Sequence, residues 1–172
     1  MLVAVWAVAA APAASPAVWL DVPFVPQEKH GCGAAAVAML VQYWSRQSSA
    51  IAATDPRAIQ KALYSEDVRG IRGADLQRYL RANGFRTFAF KAEWSDLNGH
   101  LTKGRPLVVC LDLSRGGPWH YVVVAGVDPE ASLVLVNDPA RRKLLKMHRA
   151  EFERAWNIAG NWTLLAVPLS AP

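Results

Sequence analysis

The sequence contains little charge and only two cysteines. Charged residues make up 19% of its 172 residues and hydrophobic residues 52%, which excludes disordered and fibrous classes of protein. A chain of this length buries roughly two-thirds of its unfolded surface, so one domain can form a core without disulfides. The sequence has no G-x-x-x-x-G-K-[ST] motif and, beyond its N-terminus, no apolar segment of membrane-spanning length, which excludes an ATP-driven motor and a multi-span transporter.

Charge is completely absent from the first 20 residues. Residues 1–14 read MLVAVWAVAAAPAA, an apolar run that ends in small residues and is typical of a signal peptide. No basic residue precedes the run, since the first is Lys29, so a misplaced start codon or a segment that is not a signal stay open. Pro12 and Pro16 disfavour a buried first helix. We therefore expect a signal peptide or leader over residues 1–17, a single domain over residues 18–172, and export to the periplasm, cell envelope or extracellular space.

The net charge of +5 comes from one short segment near the C-terminus. Residues 141–149, RRKLLKMHR, hold five cations and no acid, so the rest of the chain is neutral. Neither a helix-turn-helix nor an RNA-binding aromatic strand accompanies them, and we expect no nucleic acid partner. We expect a solvated strand here, and the alternative is contact with an anionic envelope surface. The cations concerned are Arg141, Arg142, Lys143, Lys146 and Arg149.

Helices are predicted in the first half of the domain and strands in the second. Prolines make Asp21–Gln27 an extended lead-in. Helices are predicted from Cys32 (CGAAAVAMLVQYW), from Thr54-Asp55-Pro56, from Gly73 to a stop at Asn83-Gly84, and over residues 94–101. Strands are predicted over residues 85–91, 106–113, 120–127, 133–136, 142–147 and 162–167, with a turn at 137–140. This order indicates an α+β fold with N-terminal helices packed on a C-terminal antiparallel sheet.

Cys32 lies between Gly31 and Gly33 at the predicted start of the longest apolar helix. A thiol at a helix N-terminus meets unpaired backbone N–H groups and the positive end of the helix dipole, which favour the thiolate. The flanking glycines permit close approach of a substrate or of another backbone segment. Cys32 is therefore a candidate nucleophile, whereas Cys110, in the apolar strand PLVVCL, is interpreted as a buried thiol.

His120 is the best candidate for the base that such a nucleophile needs. It begins the strand HYVVV, and a polar residue at the start of a buried strand projects at the rim of the sheet. His30 is too near Cys32 in sequence to fold back onto it, and His100 and His148 are expected on the surface. A structural histidine at the core edge is the alternative interpretation of His120.

Asp138 and Gln27 complete the candidate site. Asp138 follows the strand after His120, so a hairpin would place the two residues on neighbouring strands at one end of the sheet, where Asp138 could orient the imidazole. A turn aspartate ahead of Pro139 is the alternative. The Gln27 amide could stabilise an oxyanion together with the Cys32 backbone N–H. No C-x-x-C or H-x-x-x-H spacing is present, and we expect neither a metal nor a cofactor.

These residues occur in an order that resembles the C39 peptidases and C39-like proteins of the papain-like superfamily. The matching motifs are Gln27, Gly31-Cys32-Gly33, His120-Tyr121-Val122-Val123 and Asn137-Asp138-Pro139, and the resemblance covers roughly residues 22–162. It implies a papain-like cysteine peptidase fold. It also implies that Cys32 is the nucleophile, His120 the general base and acid, Asp138 its orienting partner and Gln27 an oxyanion donor.

The resemblance implies hydrolysis of peptide bonds in a peptide or protein substrate. The best-known C39 domains are fused to exporters and cut leader peptides after a double glycine, whereas this sequence resembles a standalone exported form, so that substrate does not carry over. Gly31 also stands where many relatives have Asp. Two alternatives remain: a papain-like module that binds peptides without cutting them, and a structural disulfide between Cys32 and Cys110.

Overall fold

The computed structural model describes residues 16–114 and 116–169, so most of the predicted leader lies outside the described residues. Within them the chain forms five helices and seven strands. The helices are α1 (Cys32–Ser45), α2 (Pro56–Leu63), α3 (Gly73–Ala82), α4 (Trp94–Leu101) and α5 (Arg149–Ile158). The strands are β1 (Val18–Trp19), β2 (Phe85–Lys91), β3 (Leu107–Leu111), β4 (His120–Asp128), β5 (Leu133–Asp138), β6 (Arg142–His148) and β7 (Trp162–Pro168). None of the helices in this part of the chain is long and apolar enough to cross a membrane.

The ends of the early helices are set by residues that sequence reasoning identifies. The Asp55 side chain caps α2 by accepting the Arg57 backbone N–H at 2.9 Å, and Pro56 occupies the first turn, where its missing N–H costs nothing. Helix α3 ends at Ala82 with Asn83 as its C-cap, and Gly84 follows with a φ of +87°, a left-handed conformation that favours glycine. The predicted start of α2 and the predicted start and stop of α3 are therefore confirmed.

The seven strands form one antiparallel sheet. Its order is β2-β7-β3-β4-β5-β6, and β1 pairs with the far end of β4 through Val18 and Val127. Strand β1 is not predicted from the sequence, because a strand of two residues is too short to show an alternating pattern. The adjacent hairpin strands β4 and β5 run in opposite directions, which places the first residue of β4 and the last residue of β5 at the same end of the sheet.

Helices cover both faces of this sheet. Helices α1, α2 and α3 pack on the face that includes Val108 and Cys110, whereas α4 and α5 pack on the face that includes Leu107, Val109 and Leu111. Successive strand residues point to opposite faces of a sheet. Because helices cover both faces here, every residue of β3 is apolar and buried. The α+β fold with N-terminal helices packed on the sheet is confirmed, and α4 and α5 add a second layer.

Strands β4, β6 and β7 end one residue later than predicted, whereas β3 and β5 differ from their predicted ends by two residues. Local hydrogen bonds explain the end of β3. Strand β3 ends at Leu111 because the buried carboxylate of Asp112 accepts the backbone N–H groups of Ser114 and Gly116, at 3.0 and 2.7 Å, and turns the chain. Strand β5 continues to Asp138, two residues beyond its predicted end, and pairs there with Arg142 of β6. Asp138 is thus a strand residue, and it also accepts the Ala140 N–H of the following turn at 2.9 Å.

Candidate active site

All four predicted site residues line one cleft between the helical layer and the end of the sheet. The cleft has a volume of about 880 Å³ and includes Gln27, Cys32, His120 and Asp138 in its lining. The loop of residues 68–73, between α2 and α3, forms one wall. The start of β4 and the turn after β5 form the other wall.

Cys32 is the first residue of α1, and both neighbouring glycines have a packing reason to be there. A Cβ atom on Gly31 would lie 3.0 Å from the Glu28 carbonyl oxygen. A Cβ on Gly33 would lie 3.3 Å from the Ile71 and Leu76 side chains and 3.4 Å from the Tyr121 ring. Gly31 also offers no side-chain cap, and the first turn of α1 contains no acid, so the positive helix end remains available to the thiol.

The pKa of the Cys32 thiol lies below its ordinary value despite burial. Burial alone raises this pKa, because it disfavours the charged thiolate. A side-chain hydrogen bond with His120, backbone hydrogen bonds at Tyr121 and Gly33, and the charge of the imidazole together outweigh burial and lower the pKa. The thiolate is therefore stabilised mainly by its partners across the cleft.

His120 and Asp138 form a hydrogen-bonded pair across the neighbouring strands β4 and β5. The distance from His120 Nε2 to Asp138 Oδ1 is 2.7 Å, and the Asp138 side chain is almost fully buried. Because Nε2 is occupied by the carboxylate, Nδ1 is the ring nitrogen left to face Cys32. The predicted hairpin placement of Asp138 opposite His120 is present in the structure.

The charged forms of these two residues support each other. Burial lowers the pKa of His120, but hydrogen bonds with Asp138 and Cys32 and the charges of both raise the pKa to about 9. Burial raises the pKa of Asp138, whereas the hydrogen bond and charge of His120 lower it, and the net shift is downward. A lowered thiol pKa beside a raised imidazole pKa favours a thiolate–imidazolium pair near neutral pH.

Gln27 is held next to the same strand end by its backbone. Its N–H donates to the carbonyl oxygen of Pro139, directly after Asp138, at 2.9 Å. The Gln27 side-chain oxygen is buried and has no hydrogen-bond partner among the residues that the structure describes. The lead-in loop therefore carries the Gln27 amide into the cleft. The unpartnered oxygen is an acceptor, so an oxyanion would be bound by the Nε2–H groups of the same amide.

Asn137 positions this lead-in loop, a role that sequence reasoning missed. It is fully buried, its Nδ2 donates to the Val22 carbonyl at 3.0 Å, and its Oδ1 accepts the Leu144 N–H at 2.9 Å. Composition suggests a turn residue here, and a turn residue would be exposed. The only sequence signal was its place in the motif that contains Asp138.

Two aromatic side chains of the sheet pack against the starts of α1 and α3. The Tyr121 and Trp162 rings meet edge to face, with centroids 5.4 Å apart, and Tyr121 packs against Gly33. A Cβ atom on Gly73 would lie 2.6 Å from the Trp162 ring, so only glycine fits at the start of α3. These contacts fix the distance between the helical layer and the strand that carries His120.

Cys110 and the other histidines take no part in the catalytic geometry. Both cysteines are free, so the disulfide alternative does not apply. Cys110 is buried and lies on the sheet face that packs on α1, and burial raises its pKa to about 12. His30 lines the cleft with a left-handed φ of 58°, His100 is half-buried in α4, and His148 is exposed at the end of β6.

No three Cys, His, Asp or Glu side chains in the described ranges are placed to hold a metal ion.

Several solved structures share this fold. A C39-like peptidase from Bacillus anthracis has a TM-score of 0.66 and 19% identity, covering 89% of this chain and 98% of that chain. The peptidase domain of Streptococcus ComA, a bi-functional ABC transporter, has a TM-score of 0.69 and 19% identity, covering 86% and 98%. A double glycine motif protease from an AMS/PCAT transporter, solved with a leader peptide, has a TM-score of 0.69 and 20% identity, covering 88% and 94%.

Sequence similarity identifies the family directly. No curated protein sequence is significantly similar to this chain. The sequence profile of the Peptidase_C39 like family, however, matches residues 19–164, which include the whole cleft and nearly all of the sheet. With that match over most of its length, the chain belongs to the Peptidase_C39 like family.

Proposed function

We propose that this protein is a cysteine peptidase that hydrolyses peptide bonds with Cys32, His120, Asp138 and Gln27. The observation that carries the proposal is the His120–Asp138 pair in the same cleft as Cys32. His120 Nε2 is 2.7 Å from Asp138 Oδ1, and the imidazole of His120 lowers the pKa of the Cys32 thiol. A purely structural histidine at the rim of a sheet would not need both a buried carboxylate and a thiol as partners.

In the first half of the reaction, the Cys32 thiolate attacks the carbonyl carbon of the scissile bond and forms an S–C bond. The imidazolium of His120 then transfers its proton to the leaving amine as the C–N bond breaks. The amine departs with that proton, and an acyl group remains on the Cys32 sulfur. Asp138 stays ionised and keeps the imidazole oriented, with Nδ1 toward the sulfur.

In the second half, the neutral His120 imidazole takes a proton from an attacking water molecule. The new C–O bond releases the carboxylic acid product as the S–C bond breaks, which restores the thiolate and the imidazolium. The Gln27 side chain and the Cys32 backbone N–H would stabilise the oxyanion in both tetrahedral intermediates. The anchoring of the Gln27 loop to Pro139 and Asn137 supports this placement.

Cleavage of a randomised peptide library tests the proposal. We expect the wild-type protein to cleave library members and Cys32→Ala to reduce turnover by at least about 10⁴-fold, because no other group replaces the nucleophile. Gln27→Ala should leave activity about 10²–10³-fold below wild type. Cys110→Ala is the matched control, because it removes the other thiol, which is buried in β3 and does not line the cleft, and it should retain activity. Cleavage that survives Cys32→Ala would refute the mechanism, and a wild type that binds peptides without cutting them would support the binding-module alternative.

We also propose that the protein is exported, on the basis of the apolar run in residues 1–14. The intact mass of protein recovered from the producing cells tests this. A mature N-terminus near Ala14 to Ala17 with two free thiols is expected, and an uncleaved chain in the cytoplasm would contradict export.

Contact of residues 141–149 with an anionic envelope surface stays a prediction. Two of the five cations already form ion pairs with acidic residues of the same chain. Lys143 pairs with Asp21, and Arg149 pairs with Glu153 at 2.9 Å and lies over the Trp94 ring. The other three cations of the segment, Arg141, Arg142 and Lys146, are exposed, and Arg141 lines the cleft.

A further inference from the structure

The candidate active-site cleft carries an excess of positive charge. Three arginines, Arg69, Arg72 and Arg141, line it. The one carboxylate among its described lining residues is Asp138, which is 2% exposed and hydrogen-bonded to His120. A substrate that enters the cleft therefore meets cations and no exposed acid along the described walls.

Two of these arginines line the cleft from different layers of the fold. Arg69 is exposed on the helical wall, in a tight turn closed by hydrogen bonds between Ser65 and Gly70 at 2.8 and 3.2 Å. Arg141 is exposed on the sheet wall, where its N–H donates to the Asp138 carbonyl at 2.9 Å. Neither guanidinium forms an ion pair within the described residues, whereas Arg72 is paired with Asp67.

The positive charge continues beyond the cleft on the helical side. A neighbouring depression shares His30 and Arg69 with the cleft and adds Lys29 and Lys61, against one acid, Glu66. The other acid close to this surface, Glu28, is already bound to Arg57 at 2.7 Å. The cations around Arg69 are thus largely uncompensated by the protein itself.

We propose that the cleft selects peptide segments that carry carboxylates, and that Arg69 and Arg141 are the specificity determinants on its two walls. This inference rests on the proposed peptidase function and adds the substrate class. Guanidinium groups bind carboxylates through paired hydrogen bonds, and a cleft of one charge sign concentrates ligands of the opposite sign. Two such groups on opposite walls would hold an acidic segment across the thiol.

The carboxylate could come from an Asp or Glu side chain or from the C-terminus of the substrate. Both present the same two oxygens to a guanidinium. The arginines therefore indicate that a carboxylate is bound, and the experiment below distinguishes a side-chain carboxylate from a terminal one. A side chain would allow cleavage within a long chain. A terminal carboxylate would restrict cleavage to bonds near the end of one.

Binding to the Cys32→Ala variant tests the inference without depending on turnover. The probes are fluorescein-labelled ten-residue host peptides of alanine, glycine and leucine with an amidated C-terminus. One Glu is moved through the positions in one series, Gln replaces it in the matched series, and a third series has Gln with a free C-terminal carboxylate. Fluorescence anisotropy gives Kd at two salt concentrations.

We expect at least one Glu peptide to bind more tightly than its Gln counterpart, and the difference to shrink as salt rises. Adding Arg69→Asn or Arg141→Gln should each reduce the preference by about 1.5- to 5-fold, as for exposed ion pairs, and the double change should abolish it. Asn is chosen at position 69 because the backbone there has a φ of +46°, which Asn tolerates. Tighter binding in the third series would identify the terminal carboxylate as the source.

Arg86→Gln is the matched control. Arg86 is exposed on β2, at the edge of the sheet opposite β6, so this change removes the same charge far from the cleft and should leave the preference intact. Thermal unfolding of each variant verifies that the fold is retained.

Equal binding of all three series, absence of binding in every series, or a preference that survives the double change would each overturn the inference. A wild type that cleaves Glu and Gln peptides equally would remove only this inference and leave the peptidase function standing. A wild type that cleaves nothing, while the Cys32→Ala variant retains an arginine-dependent preference, would remove the peptidase function and leave carboxylate recognition standing.

Discussion

The protein contains two thiols on the same side of its sheet, and their surroundings give them opposite proton affinities. Cys32 begins α1 and lines the same cleft as His120, and the imidazole lowers its pKa. Cys110 lies in β3, opposite Tyr121 of β4, and its pKa is raised to about 12. The charge of the Cys32 thiolate also contributes to the raised pKa of Cys110.

Burial does not explain the difference between the two thiols. It is the largest influence on both, and at both it raises the pKa. The difference comes from partners: Cys32 has an imidazole, backbone hydrogen bonds and a helix N-terminus, whereas Cys110 has apolar neighbours and a repelling carboxylate, Asp112. A buried thiol is activated by what faces it, and at the centre of a strand the neighbouring strands use the backbone groups for pairing.

The same rule applies to the residues that face Cys32. His120 is the first residue of β4 and Asp138 is the last residue of β5, so both side chains reach the cleft from the rim of the sheet. Residues farther along β4, from Val122 to Val127, are buried. Element ends thus supply the polar groups, and element centres supply the rigidity that keeps the Nε2–Oδ1 distance short.

Alkylation by iodoacetamide gives the largest expected contrast between the two thiols. At pH 7 a thiol with a pKa of about 12 is ionised in only about one molecule in 10⁵, and Cys110 is also buried. We expect Cys32 to be labelled at least about 10³-fold faster than Cys110, as measured by peptide mass spectrometry over time. In Cys32→Ala, Cys110 should stay unlabelled until the protein is unfolded with denaturant. Similar rates for the two native thiols would show that the environment of Cys32 does not activate it.

The positions of Cys32, His120 and Asp138 in the fold could be predicted from the sequence, because they depend on local patterns. Glycines around Cys32 at a helix start, and an apolar strand headed by His120, are visible without any tertiary information. The hairpin spacing between His120 and Asp138 extends this to a pairing, since adjacent strands of that spacing pair in antiparallel fashion. These features depend on neighbours in the chain or on one hairpin.

Features that depend on distant segments could not be predicted. Asn137 contacts Val22, 115 residues away, and nothing in its local sequence distinguishes that role from a turn. The approach of Arg69 and Arg141 from opposite walls needs the packing of α2 and α3 against the sheet. Likewise, the five cations of residues 141–149 look like one patch in sequence. In the structure, one pairs with Asp21, one pairs with Glu153, one lines the cleft, and two are exposed to solvent.

A smaller effect is expected from Asp138→Asn, which keeps the shape of the side chain and removes its charge. The pKa of His120 is raised to about 9 partly by the Asp138 hydrogen bond and charge, so removing the charge lowers it. Because the active pair needs the imidazolium, we expect the alkaline limb of the kcat/KM profile to lie near pH 9 in the wild type. In Asp138→Asn that limb should move down by about 1–2 pH units, a 10- to 100-fold change in proton affinity.

The acid limb provides the internal control for this shift. It reports loss of the thiolate while His120 is still protonated, and the imidazolium carries the same charge in the variant, so the acid limb should stay in place and the profile should narrow from the alkaline side. An Asn can still accept the Nε2–H through its oxygen, so orientation of the ring is preserved and a uniform loss of rate is not the expected signature. An alkaline limb that stays near pH 9 in Asp138→Asn would mean that another group holds the proton on His120. In that case, the opposite behaviour of the two thiols would not depend on the carboxylate at the end of β5.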